Sequence, residues 1–444
     1  MNAEVLPMKT SAELALAEAF AAAKADLPGD RKVAALREAA FRDFDAAGLP
    51  GRRNEQWHYT DLRMLLREAK PLAAAPDAAA KARARDAGQL IGDMEVRRIV
   101  LVDGSFVPEL SDLDKLSPGL SIGSMAQALA AGDPLLAAHL GKVVASGREG
   151  VVALNTALMR DGVVIRVAKG ATVERPIHLV FAATGQTPAS VFTRSLVVIE
   201  DGARAMLVES HEASGAHQVN TALELVVGHD AHVDHIKLTA GPADLVHVSS
   251  LMASIGARAR FNDFAFNVGG GLVRNQLFVR FDGEGTVAGL RGASLLRGKQ
   301  HVDTTLLVDH KAGGCQSREV FASVLDGESR GIFQGKIIVR PHAQQTDAKM
   351  MTRSLLLSED AEADNKPELE IFADDVQCGH GATCGALDQD LKFYLMARGI
   401  PATEAEALLV QAFVGEAIGG IEHAGLRDAL MEHVVAWLKA RGGE

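Results

Sequence analysis

The chain is poor in aromatic residues, with two tryptophans and two tyrosines in 444 residues, and no block of lysine and arginine is interleaved with them. With aromatics at 5% and a formal net charge of -11, it offers neither the basic footprint nor the base-stacking platform of a nucleic-acid binder. Three cysteines cannot all pair, and a chain of this length needs no disulfide staples, so a reducing compartment is expected. Met1 to Lys9 hold no apolar signal core, and no uninterrupted apolar run reaches the roughly 18 residues of a membrane helix. The expectation is a soluble, cytoplasmic protein without membrane or nucleic-acid partners.

Catalytic signatures are also missing. Gly269-Gly270-Gly271 runs into Leu272-Val273-Arg274 and lacks the lysine of a phosphate loop, so the chain should bind and hydrolyse no ATP by itself. His211-Glu212 with His217 misses the spacing of a zinc-protease helix, and no nucleophile-elbow motif occurs. His229, His232 and His235 are three apart around an expected strand, which scatters them between its faces. Asp234 and Asp263 fall in different coils, so no acidic pair is evident for a carbohydrate-active β-solenoid enzyme, which stands as the alternative function.

What is present is a core. Hydrophobic residues make up 48% of the chain and charged residues 23%. Thr10-Ser11-Ala12-Glu13 has the form of a capping box, and the helix behind it runs toward Pro28-Gly29. A second helix through Val33, Leu36, Ala40 and Phe44 completes a hairpin, and Trp57, Tyr59 and their neighbours read as an anchor pinning that hairpin to the main body, with a docking or ligand-contacting segment as the alternative. Glu68 to Leu90 reads as a linker.

Beyond Val96 the chemistry changes to short β-branched runs, such as Ile99 to Val102, Val163 to Val167, Leu196 to Ile199 and Lys336 to Val339. Little helical periodicity is expected between about Val151 and Leu387. Gly170-Ala171-Thr172-Val173, Gly202-Ala203-Arg204-Ala205, Asp230-Ala231-His232-Val233, Gly256-Ala257-Arg258-Ala259 and Gly285-Thr286-Val287-Ala288 recur at steps of 26 to 32 residues. One coil cannot bury its own face but a stack can, so the repeat predicts a β-solenoid. After Gly385 helices return: one capped by Asp388, one opened by Thr403-Glu404-Ala405-Glu406, and a last one carrying Leu430, Val434, Trp437 and Leu438. This unit is expected to cap the solenoid. The expected regions are 1-92 (helical, with linker), 93-386 (β-solenoid core) and 387-444 (helical).

Between core and last helices lies Cys378-Gly379-His380, followed by Cys384. In a strand Cys378 and His380 project to one side, a thiol and an imidazole together, which suits zinc, iron or an exchangeable sulfur species. Two ligands do not close a site; Cys384 adds a third only if the turn from Gly379 to Gly385 folds back, and otherwise the rest come from another chain. The plainer alternative is a small buried cysteine beside a satisfied core histidine.

Several further motifs stand in order around this stretch: Gly331-Ile-Phe-Gln-Gly335-Lys336, Ala343-Gln-Gln-Thr346-Asp347-Ala348, Pro367-Glu-Leu-Glu370, Cys378-Gly-His380-Gly-Ala-Thr383, and Leu387-Asp388 through Phe393-Tyr394-Leu395 to Arg398-Gly399-Ile400. Over these roughly 70 residues the chain resembles the SufB/SufD family of iron-sulfur cluster assembly proteins. The resemblance extends loosely, through Trp57-His58-Tyr59-Thr60, across most of the chain. It is nearer the SufD branch, because Thr352-Arg353-Ser354-Leu355 and Phe393-Tyr394-Leu395 stand where SufB-type chains carry cysteines. The resemblance implies a right-handed parallel β-helix with flanking helical regions. It implies a non-enzymatic scaffold that pairs with a SufB-like paralogue and docks a SufC-like ABC ATPase through helices around Leu408 to Ile418, with self-pairing as the alternative for the isolated chain. It further implies that Cys378 and His380 are metal or cluster ligands at the partner interface, holding an iron-sulfur cluster or iron transiently.

Overall fold

The computed structural model describes residues 8–143 and 149–441. Most of the Met1 to Lys9 stretch, and the outer ends of the first and last expected regions, lie outside the described residues. From Val163 onward, successive strands fall alternately into two sheets. One is ten-stranded and ends with Gln316–Leu325, Thr346–Leu356 and Val376–Ala386; the other is nine-stranded and ends with His301–His310, Arg330–Val339 and Glu362–Ile371. Neighbouring strands within each sheet pair in parallel over these coils. A chain that lays consecutive strands in two parallel sheets is winding a coil, and the fold is a β-helix as expected. Antiparallel pairing is confined to its beginning, where Arg97–Val102 meets Ser105–Phe106 and Leu120–Ser124 meets Val163–Val167.

The repeat marks one corner of each coil. Gly170, Gly202, Asp230, Arg258, Gly285, Gly314 and Gln345 all have positive φ there. The residue that follows is small and turned inward, as at Ala203, Ala231, Ala259, Thr286 and Cys315, each at most 1% exposed. Cys315, the third cysteine, is therefore a corner residue. One corner departs from the expected register: the left-handed residue is Arg258, two places after Gly256, because Arg260 pairs with His232. An arginine there carries a strain that glycine would not.

Inside the coil the two sheets share one apolar core, with Val227, Val233, Phe261, Leu290, Phe321, Ile337 and Met350 among its members. Their outer faces are also covered. The capping box of Thr10 forms as expected, and the hairpin of Ser11–Ala23 and Arg31–Ala47 packs with Trp57 and the helix Gly150–Leu158 against Phe192, Val248 and Leu272 of the nine-stranded sheet. Gly150–Leu158 corrects the expectation of no helix in that region. All its residues from Val151 onward are buried, so it carries no amphipathic signal.

On the ten-stranded sheet, helices Ala402–Ile418 and Ala424–Arg441 place Val410, Val414, Leu430, Val434 and Trp437 over Ile236, Phe264, Leu295 and Val324. The first begins after Pro401 without a side-chain cap, so Thr403 lies inside it rather than capping it. This pair covers the flank of the solenoid and does not cap its end. The last strands, Glu362–Ile371 and Val376–Ala386, contain no fully buried residue. Pro367 is tolerated in the first because a proline at a sheet edge forgoes no ladder bond it would otherwise make.

Candidate functional site

Cys378 pairs with Ala348 and His380 with Met350, two residues of the inner core at 0% and 2% exposed. Strand alternation then turns both Cys378 and His380 toward the inside of the coil, at its open end. Cys378 is half-buried and packs on the core; His380 is exposed. Burial is the main influence holding the Cys378 thiol above its ordinary pKa, with the carboxyls of Asp347 and Glu319 adding to it. The free chain therefore presents a protonated thiol beside an imidazole, and a metal or sulfur species binding here must displace the proton.

Cys384 does not join them. Val376–Ala386 is one continuous strand in register with Thr346–Leu356, so the stretch from Gly379 does not fold back. Six residues of strand set Cys384 about 20 Å from Cys378. Across the open end, Leu369 on the facing strand packs on the same core. Apolar side chains flank both corners of the last coil: Ile371 and Phe372 before the strand, and Leu391, Phe393, Tyr394 and Met396 on the helix Gln389–Ala397 after it, between 41% and 72% exposed. Asp388 caps that helix as expected, accepting from the amides of Asp390 and Leu391.

Deeper in the coil lies a polar cluster that sequence reading missed. His235 Nδ1 is 2.6 Å from Asp263, His211 Nε2 is 3.0 Å from Glu209, and Lys237 donates to Ser249 and, at 2.6 Å, to Asn275. Burial opposes charge on His235, but the hydrogen bond to the Asp263 carboxylate and the nearby Glu209 carboxylate outweigh it and push the imidazole up to about 9. Burial lowers the Lys237 ammonium to about 8 against the pull of the same carboxylates. Two anions thus face two cations near neutral pH, the condition under which buried charge is sustained. The signal was the 28-residue register, which aligns Leu207, His235 and Asp263 across three inward-facing strands. Asp234, one residue before His235, faces outward, so Asp234 and Asp263 form no acidic pair.

The geometry thus defines a parallel β-helix protein that offers an unpaired coil edge, with a thiol and an imidazole on it. The core-domain model of SUF-system iron-sulfur cluster assembly proteins, SufBD, matches residues 181–413, and that of the SufBD N-terminal region matches residues 15–179. The chain belongs to the SufBD family of iron-sulfur cluster assembly proteins. It is 32% identical over 411 residues to an iron-sulfur cluster assembly SufBD family protein of Synechocystis, covering 90% of this chain and 89% of that one. It is 29% identical to the iron-sulfur cluster assembly protein SufD of Escherichia coli, over 87% and 89% of the two chains. The SufD of Bacillus subtilis is 26% identical over 63% of this chain and 65% of its own. No helix among the described residues is long and apolar enough to cross a membrane.

Proposed function

We propose that this chain is a non-catalytic scaffold subunit of an iron-sulfur cluster assembly complex, joining a SufB-like subunit through the open end of its β-helix. The observation that carries this reading is the edge position of Cys378 and His380: they share a face of a strand that has no next coil, between two apolar corners. An edge of this kind invites a strand or coil from another chain. His380 and Cys378 then supply some of the ligands of a nascent cluster or of iron, and the partner supplies the rest. Imidazole and thiolate both suit iron, and a site completed only at an interface can open and release its cargo.

The C-terminal helices are the docking surface for a SufC-like ABC ATPase. Their inner face is occupied by the ten-stranded sheet, while Leu408 remains exposed. Movement of the ATPase subunits would strain the β-helix interface and expose its ligands.

The test is anaerobic affinity purification of the chain from its own cells, followed by His380→Ala. Recovery of an ABC-type ATPase and a homologous β-helix subunit is expected, with cluster or iron content several-fold lower in the variant and the complex intact. Recovery of the chain alone, or as a pair of identical copies, would overturn the partner reading. Unchanged iron content in His380→Ala would overturn the ligand role.

A further inference from the structure

A second group of metal-binding side chains stands on the outer flank of the ten-stranded sheet, away from the open end. His232 and Asp234 are two apart on the strand His232–Ala240 and project from the same, outward face. The connection between helices Ala402–Ile418 and Ala424–Arg441 crosses over them and brings Glu422. One donor atom from each of His232, Asp234 and Glu422 lies within 4.8 Å of the others.

Three features indicate an ion rather than a hydrogen-bonded cluster. The Nε2 of His232 is shielded from solvent but has no hydrogen-bond partner among the described residues. It lies 3.6 Å from the Asp234 carboxylate, too far for a sound hydrogen bond yet close to the separation of roughly 3.3 Å that two ligands of one transition-metal ion adopt. Asp234 is itself oriented by Asn262, whose amide donates to it at 2.8 Å, the kind of outer support that metal-binding carboxylates require. The turn is held close by Gly420, where an added Cβ would fall 1.8 Å from a nitrogen of Arg291. A cavity of about 280 Å³ opens beside Asp234 and Glu422, lined also by Arg291 and His423, with room for water to complete a coordination shell.

We propose that His232, Asp234 and Glu422 form a site for a divalent transition-metal ion of the Zn²⁺ or Mn²⁺ class, which clamps the C-terminal helical pair to the β-helix. Arg204 and Arg260, the cross-strand neighbours of His232, oppose a bare positive charge. They select against Mg²⁺, which binds largely by charge and retains its water, and in favour of an ion that bonds to imidazole. Two ligands come from the sheet and one from the helical connection, so binding adds a cross-link to the apolar packing and the Arg353–Glu416 and Arg441–Asp326 ion pairs that already join the two units. The site is independent of the role proposed for Cys378 and His380.

The test uses the full chain, stripped of metal and titrated with Mn²⁺ followed by electron paramagnetic resonance, with Zn²⁺ and Mg²⁺ in parallel. Manganese binds thiolates poorly, which separates this site from Cys378. One equivalent of Mn²⁺ is expected, with a thermal midpoint that rises with metal concentration. Asp234→Asn and Glu422→Gln should each weaken binding at least about tenfold. Glu422 is exposed, so Glu422→Gln should leave the metal-free midpoint unchanged. Absence of stoichiometric Mn²⁺ or Zn²⁺ binding, affinity unchanged in both variants, or Zn²⁺ binding lost only with Cys378→Ser would each overturn the proposal.

Discussion

The guanidinium of Arg274 lies 4.0 Å from the centre of the Trp57 ring, and both side chains are fully buried. The same guanidinium is bonded to Asp303 and donates to the Gln56 carbonyl at 2.7 Å, while Thr60 donates to Asp303. The N-terminal hairpin is thus pinned to the nine-stranded sheet by a buried cation that touches an aromatic ring, a carboxylate and the backbone. Arg274→Met should cost about 3–5 kcal/mol, since it leaves Asp303 buried without its partner. The double variant Arg274→Met with Asp303→Leu should recover much of that loss. Urea denaturation checks both; a single variant as stable as the parent would show that the pair carries no such weight.

Glu319 faces the inside of the coil between Leu290 and Met350, and neither of its carboxyl oxygens has a hydrogen-bond partner among the described residues. Burial pushes its pKa up to about 8. The folded chain keeps this proton where the unfolded chain has lost it, so stability falls as pH rises from about 4.5 to 8. Glu319→Gln should therefore gain more than about 1 kcal/mol over the parent at pH 8, each pKa unit being worth about 1.4 kcal/mol, and little at pH 5. The acid side has the opposite sign. Burial lowers His178 to about 3, and His301 and His310 to about 4, so the unfolded chain takes up more protons and stability falls as pH drops below about 6.5. Below about pH 4.5, where Glu319 is protonated in both folded and unfolded chains, that limb should be identical in parent and variant. A pH-independent difference between the two would refute the assignment to Glu319.

What the sequence discloses depends on how local the signal is. The coil repeat is carried by corners of three or four residues, so the solenoid could be read directly. Trp57 as an anchor followed from its size. Strand alternation alone put Cys378 and His380 on one face. The position of Arg258 could not be read, because a left-handed corner is fixed by the cross-coil register and glycine is only its commonest occupant. The buried group of His235, Asp263 and Lys237 depends on knowing which alternate residues face inward, and that phase is set by coils 28 residues apart. Glu422 is brought to His232 only by the path of the C-terminal helices, for which no local pattern exists.

The open end yields the last prediction. Ile371, Phe372 and Phe393 flank the strand of Cys378 and His380 and are 41%, 57% and 72% exposed. Within this chain they bury little, so Phe372→Lys and Phe393→Asp should change its own stability by no more than about 0.5 kcal/mol. If a SufB-like coil stacks on this edge, the same side chains become the buried apolar contacts of an interface, where one aromatic is often worth about 2 kcal/mol or more. Each variant should then weaken association with the co-expressed partner by about tenfold or more, measured by calorimetry or by the fraction that co-purifies. The two effects separate because folding and pairing draw on different faces of these residues. An unchanged affinity in both variants would place the partner elsewhere on the chain, and a loss of stability in the isolated protein would mean that these side chains already serve its own fold.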